Sequence, residues 1–138
     1  MRNSVPTGNS WGDIVGYSRA VRVGNLVFVS GTTASGPEGQ ALHPGEPGPQ
    51  TKLILDRIGA ALAKLGASLK DVVETRIYVR NIAQWEAVGR VHGEVFADIR
   101  PATTLVEVSQ LIASELLVEI SAVAVVMTSS SSPAGVTE

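Results

Sequence analysis

Cysteine is absent from the 138 residues. That one absence excludes disulfides, thiolate nucleophiles and cysteine metal sites. Aromatic residues make up only 4% of the chain, and 11 Lys and Arg stand against 13 Asp and Glu. The net charge is -2 and the pI about 5.7. A basic or aromatic-striped surface of the kind that binds nucleic acid is therefore missing. No run approaches the roughly 20 apolar residues of a membrane span. The opening residues, Met1 to Asp13, are polar and lack the apolar stretch of a signal peptide. The two histidines, His43 and His92, are too far apart in sequence to suggest a metal-ligand cluster. These absences lead us to expect a cytoplasmic protein with no cofactor, no metal, no nucleic-acid partner and no membrane partner.

Apolar residues are what the chain does have, at 44%, with only 17% charged. So short a chain has much surface for its volume, so partner subunits are expected to cover part of this apolar content. Residues 1–14 read as a loosely ordered N-terminal lead-in, 15–127 as a single domain, and 128–138 (TSSSSPAGVTE from Thr128) as a disordered tail.

Within the domain, alternation around Gly24-Asn25 predicts a hairpin over Ser18–Ala34. The Gly- and Pro-rich stretch 35–49 reads as a loop. Ile54, Leu55, Ile58, Ala61, Leu62 and Leu65 form one helical stripe, which predicts a helix over Gln50–Leu65, with Gly66 as its stop. Residues 71–80 alternate, placing Val73, Thr75, Ile77 and Val79 on one face and Glu74, Arg76, Tyr78 and Arg80 on the other. Asn81 and Gln84 have the spacing of a capping box. A second helix is expected over Ala83–Ala97, with Trp85, Val88, Val91, His92, Val95 and Phe96 on its apolar side, Trp85 and Phe96 in the core. Thr104–Val108 and Leu116–Val126 complete the strands. The order ββ, α, β, α, ββ is that of an α+β fold with two helices on one face of a sheet.

Four segments, in order, resemble the Rid (reactive intermediate deaminase) or YjgF family. They are Gly16-Tyr17-Ser18-Arg19-Ala20, Val23 to Gly31, Gly66 to Val73, and Arg100 to Val108 with Leu117-Val118-Glu119-Ile120 after it. The likeness spans about residues 15 to 126. It implies a chorismate-mutase-like fold with a mixed sheet, a homotrimer, and small-molecule clefts between subunits. Archetypal members hydrolyse enamines and imines to a 2-keto acid and ammonia. Other relatives process aminoacrylate or aminomuconate, and some are described as endoribonucleases.

Carried over residue by residue, the resemblance assigns Glu119 to positioning the attacking water and Tyr17 to closing over the ligand. Ser30 and Gly31 fall at the cleft floor, and Thr103 and Thr104 become pocket hydroxyls. A lone acid inside the apolar Leu117–Ser121 strand is costly unless paired or functional. Burial would raise its pKa toward the range useful for proton transfer. In the archetype an arginine that grips the substrate carboxylate stands where this chain has Thr103. A neutral hydroxyl in place of a bidentate guanidinium weakens carboxylate binding by about 1.5–3 kcal/mol, roughly tenfold to hundredfold. Arg19, Arg76 and Arg100 are the candidates to replace that charge. His92, at the edge of the second helix's stripe, reads first as a packed histidine, and Glu107 as a structural pair-former. The expected activity is a Rid-like deaminase with an altered substrate. The alternatives are a non-catalytic ligand-binding or regulatory trimer and, third, an endoribonuclease.

Overall fold

A computed structural model describes residues 1–127; the tail expected over 128–138 lies outside the described residues. Six strands form one sheet: β1 (Arg2–Val5), β2 (Ala20–Val23), β3 (Leu26–Thr32), β4 (Val72–Val79), β5 (Ala102–Glu107) and β6 (Val118–Val125), in the spatial order β1-β2-β3-β6-β4-β5. All pairings are antiparallel except β4 with β5. The sheet is thus mixed, and the class is α+β as expected. Among the described residues three α-helices accompany it: the short α1 (Ser10–Val15), then α2 (Pro47–Lys64) and α3 (Trp85–Phe96).

The hairpin β2–β3 turns at Gly24-Asn25, where Gly24 has φ +59. Helix α2 buries Ile54, Leu55, Ile58, Ala61 and Leu62 against Val27, Val29, Ile77, Val118 and Ile120 of the sheet. Each large aliphatic side chain so buried contributes about 1.5–3 kcal/mol of transfer free energy. The helix starts three residues before its expected beginning. Pro47 sits in its first turn, where a missing N–H is harmless and a fixed φ helps. Gly66, at φ +79, ends it, with Ala67 N donating to Leu62 O. Gln50 is fully buried. Its Nε2 donates to the carbonyls of Leu42, His43 and Glu115, and its Oε1 accepts from Leu117 N. One side chain therefore ties the loop before α2 to the approach to β6.

Four expectations are corrected. The lead-in contains a strand and a helix: β1 pairs with β2, and α1 is capped by Asn9 Oδ1 accepting from Gly12 N. β1 is polar except for the buried Val5, so it shows no apolar pattern. Val73 does not share a face with Thr75, Ile77 and Val79. A register shift between Val72 and Glu74 inverts the alternation there, burying Val72 and exposing Val73. Asn81 caps only a single 3₁₀ turn through Ala83 N, and no capping box with Gln84 forms. Trp85 is 55% exposed rather than in the core. It opens α3, and its ring lies along Gly89, one turn on, where there is no side chain to displace it toward the sheet. Val88 and Phe96 do carry the buried side of α3.

Candidate active site

The sheet is irregular between Val29 and Thr32, where β3 shifts register against β6. A cleft of about 720 Å³ opens at this end of the strand. Its walls come from residues 5–11, Tyr17 and Arg19, the β3 exit at Gly31–Ser35, the α2 residues Arg57 and Lys64, and Glu119 of β6. Gly16, at φ +82, ends α1 and turns the chain so that Tyr17 and Arg19 meet the β3 exit. Arg19 is fixed there by its backbone as well: its N–H donates to Val5 O, and its carbonyl accepts from Ser30 N.

The Arg19 side chain is held on three sides. Nη1 donates to Gly31 O at 3.2 Å and to Thr32 Oγ1 at 2.7 Å. Nη2 makes a long contact, 3.5 Å, with the Tyr17 hydroxyl, and the guanidinium lies 5.8 Å from the Tyr17 ring centre. Glu119 reaches the same place from β6. Its carboxylate occupies the space that a side chain at Gly31 would need, so only glycine fits there without displacing the acid. Burial raises the Glu119 pKa, and the positive charge of Arg19 partly opposes that rise. Yet Arg19 and Glu119 form no ion pair, and neither has another charged partner among the described residues. Arg57 donates from Nη1 to the carbonyls of Thr33 at 2.9 Å and Ser35 at 2.8 Å. Burial, and then the charge of Arg19, lower its pKa.

Of the residues singled out in the sequence, Tyr17, Gly31 and Glu119 come together in this cleft. Ser30, Thr103 and Thr104 do not line it within one chain. Ser30 Oγ donates to Ser18 O. Thr103 bonds Thr75 Oγ1 at 2.8 Å, and Thr75 in turn bonds His92 Nε2 at 2.9 Å. The His92 ring also packs, tilted by 42°, against Phe96, and burial lowers its pKa. Thr104 stands opposite Arg76 across β4–β5 and is exposed. Glu107 Oε1 accepts from Ile82 N, a structural bond as expected. Among the three candidate arginines only Arg19 is in the cleft. Arg76 is paired with Glu74, and Arg100 is exposed at φ +52 with Nε donating to Ala97 O. Sequence reasoning missed Arg57 and Lys64. They border the apolar stripe of α2 and look there like any solvated helix face.

Comparison with known proteins agrees with this architecture. Residues 7–126 match the family described as Endoribonuclease L-PSP. The 3-aminoacrylate deaminase RutC of Acinetobacter baylyi is 36% identical over 108 residues, covering 78% of this chain and 85% of that protein. A crystal structure of a YjgF/YER057c/UK114 family member from Mycobacterium tuberculosis is 50% identical, with a TM-score of 0.83, covering 91% of this chain and 100% of the other. The YjgF gene product of E. coli is 27% identical, with a TM-score of 0.75, covering 89% and 98% of the two chains. The chain belongs to the Rid/YjgF/RutC family, whose members include an enamine deaminase.

Proposed function

We propose that this protein is a Rid-type hydrolase that releases ammonia from a reactive imine or enamine bearing a carboxylate. The observation that carries the reading is the pair of unpaired opposite charges in one cleft. Glu119 is buried enough to have a raised pKa, and Arg19 stands beside it without neutralising it. Perturbed acids in clefts are candidates for proton transfer. In the scheme, ionised Glu119 takes a proton from water as the water oxygen adds to the C=N carbon. Glu119 returns that proton to the nitrogen, giving a carbinolamine. It then carries the carbinol O–H proton to the amine as the C–N bond breaks, and ammonia leaves with a 2-keto acid as the other product. An enamine enters the scheme by first tautomerising to the imine. Arg19 replaces the charge that Thr103 lacks, and Tyr17 closes over the ligand.

The assembled form in this reading is a homotrimer. Leu26, Phe28 and Val106 are exposed on the sheet face away from α2, an apolar surface that other copies would cover. Ser30, Thr103 and Thr104 then act at the cleft only through the assembly. A non-catalytic ligand-binding trimer is the second reading, and the engagement of Thr103 with Thr75 favours it, because the family's arginine position is closed off. The nuclease reading ranks third. His43 faces Glu46 at the surface and His92 is bonded to Thr75, so no histidine pair serves phosphoryl transfer.

The test is ammonia release from freshly generated 2-iminopropanoate and 2-iminobutanoate, with wild type, Glu119→Gln and Thr103→Arg. Turnover by wild type, lost by about a hundredfold or more in Glu119→Gln, is the expected result. Activity appearing only in Thr103→Arg would remove Arg19 as the anchor. No turnover in any of the three would transfer the assignment to ligand binding.

A further inference from the structure

Arg57 lines the cleft but has no part in the hydrolytic scheme above. It and Arg19 approach from different walls, α2 and the segment leading into β2, and both end on one stretch of backbone. Arg19 Nη1 is bonded at Gly31 and Thr32, and Arg57 Nη1 at Thr33 and Ser35. Thr32 and Thr33 are neighbours, and the α-carbons of Gly31 and Thr33 are at most about 7 Å apart. The two guanidiniums are near enough for the charge of Arg19 to be felt at Arg57. No carboxylate pairs with either among the described residues. Lys64, two turns beyond Arg57 on α2, adds a third cation to the lining, against the carboxylates of Glu119 and, on the loop after β3, Glu38. Two like charges held this close repel unless an anion lies between or beside them. Each guanidinium has five N–H donors. Here Nη1 alone carries every bond from Arg57, and Arg19 Nη2 makes only the long contact with Tyr17.

From that juxtaposition we propose that the cleft takes a ligand with two carboxylates, an imine or enamine of a short dicarboxylic acid. Arg19 holds the carboxylate next to the carbon that reacts beside Glu119, and Arg57 holds the second at the far end of the chain. The reaction part of this rests on the hydrolase reading; the dianion site does not. Water adds, ammonia leaves, and the product is a 2-oxo dicarboxylate. The supplying reaction is one that oxidises the amine of an acidic amino acid to the imine, or that eliminates a β-substituent from one to leave the enamine.

The experiment is calorimetric titration of the full-length protein with 2-oxoglutarate and with 2-oxobutanoate, as product dianion and monoanion, in wild type, Arg57→Gln and Arg57→Lys. Ammonia release from the corresponding imines is measured in parallel. Wild type is expected to bind 2-oxoglutarate at least about tenfold more tightly, the effect of one charge-assisted contact. Arg57→Gln should lose that preference while 2-oxobutanoate affinity stays, and Arg57→Lys should keep part of it. Equal affinity for the two acids in wild type overturns the proposal, whether or not the variants fold. A preference that survives intact in Arg57→Gln overturns it as well. Preference for the dianion with no imine turned over supports the dianion site and removes the hydrolase reading. Turnover without any preference does the opposite.

Discussion

Two polar clusters are built on this sheet, and they differ in whether their groups are satisfied. At the irregular end of β3, Arg19, Arg57 and Glu119 line a cleft with their charges unpaired by protein. Two and three positions away in the strand order, Thr75 of β4 and Thr103 of β5 join His92 of α3 in a neutral chain of hydrogen bonds. Thr75 is fully buried there and bonded on both sides. A buried polar group that is fully bonded stabilises one structure, whereas charges in a cleft that lack an opposite charge are open to an ionic ligand. Thr103, where the family resemblance leads one to expect an arginine, belongs to the satisfied cluster, and Arg19 belongs to the other.

The sharpest way to break this contrast is Gly31→Ala. A methyl group there meets the Glu119 carboxylate, and the acid must move. Misplacing a reacting group by about 1 Å costs on the order of a hundredfold in rate. We expect a loss of that size in kcat/KM with little change in thermal stability. Thr51→Val, on α2 and outside the cleft lining, removes only the bond to Pro47 O, about 1 kcal/mol of stability. Equal activity in the two variants would mean that Glu119 does not act from the position seen.

Arg19→Gln is expected to have the next largest effect, lowering kcat/KM about tenfold to hundredfold through the lost carboxylate contact. It also has a signature in pH. Arg19 lowers a Glu119 pKa that burial has raised. If ionised Glu119 is the base, the rate falls on the acid side as this group protonates. Removing Arg19 leaves the burial effect unopposed, so that limb moves to higher pH. A limb that stays in place, measured on kcat/KM, would separate Arg19 from Glu119.

Most of the fold was legible because it is written in spacing. The stripe Ile54–Leu62, the Gly24-Asn25 turn and the Gly66 stop all appear where their periodicity and backbone freedom put them. β1 was not legible, since Arg2, Asn3 and Ser4 are held by backbone pairing that leaves no side-chain pattern. Nor was the exposure of Val73, because a bulge is a property of two strands in register and one strand read alone keeps its alternation. Within the cleft, Tyr17, Gly31 and Glu119 were reached only through the family resemblance. Arg57 was not reached at all, because its role depends on Thr33 and Ser35, more than twenty residues away.

The smallest effect belongs to the satisfied cluster, and it falls on stability. Thr75→Val removes the hydroxyl between His92 and Thr103 and leaves both without that partner, at a cost of about 1–3 kcal/mol in urea unfolding near pH 7.5. The wild type carries a matching pH dependence. Burial lowers the His92 pKa below 6.5, so between the two values the unfolded chain binds a proton that the folded chain does not. The stability tied to neutral His92 is therefore complete above about pH 6.5 and declines as the pH falls below it. Glu119 acts in the opposite sense. Its raised pKa means that the folded state takes up a proton above 4.5, which favours folding as the pH falls through that range. The two trends oppose each other in the wild type, and His92→Gln removes only the first. Its urea stability relative to wild type should accordingly improve as the pH is lowered from 7.5 to 5. A constant difference across that range would mean that His92 titrates alike in the folded and unfolded chain, and that the cluster at Thr75 is less closed than its hydrogen bonds indicate.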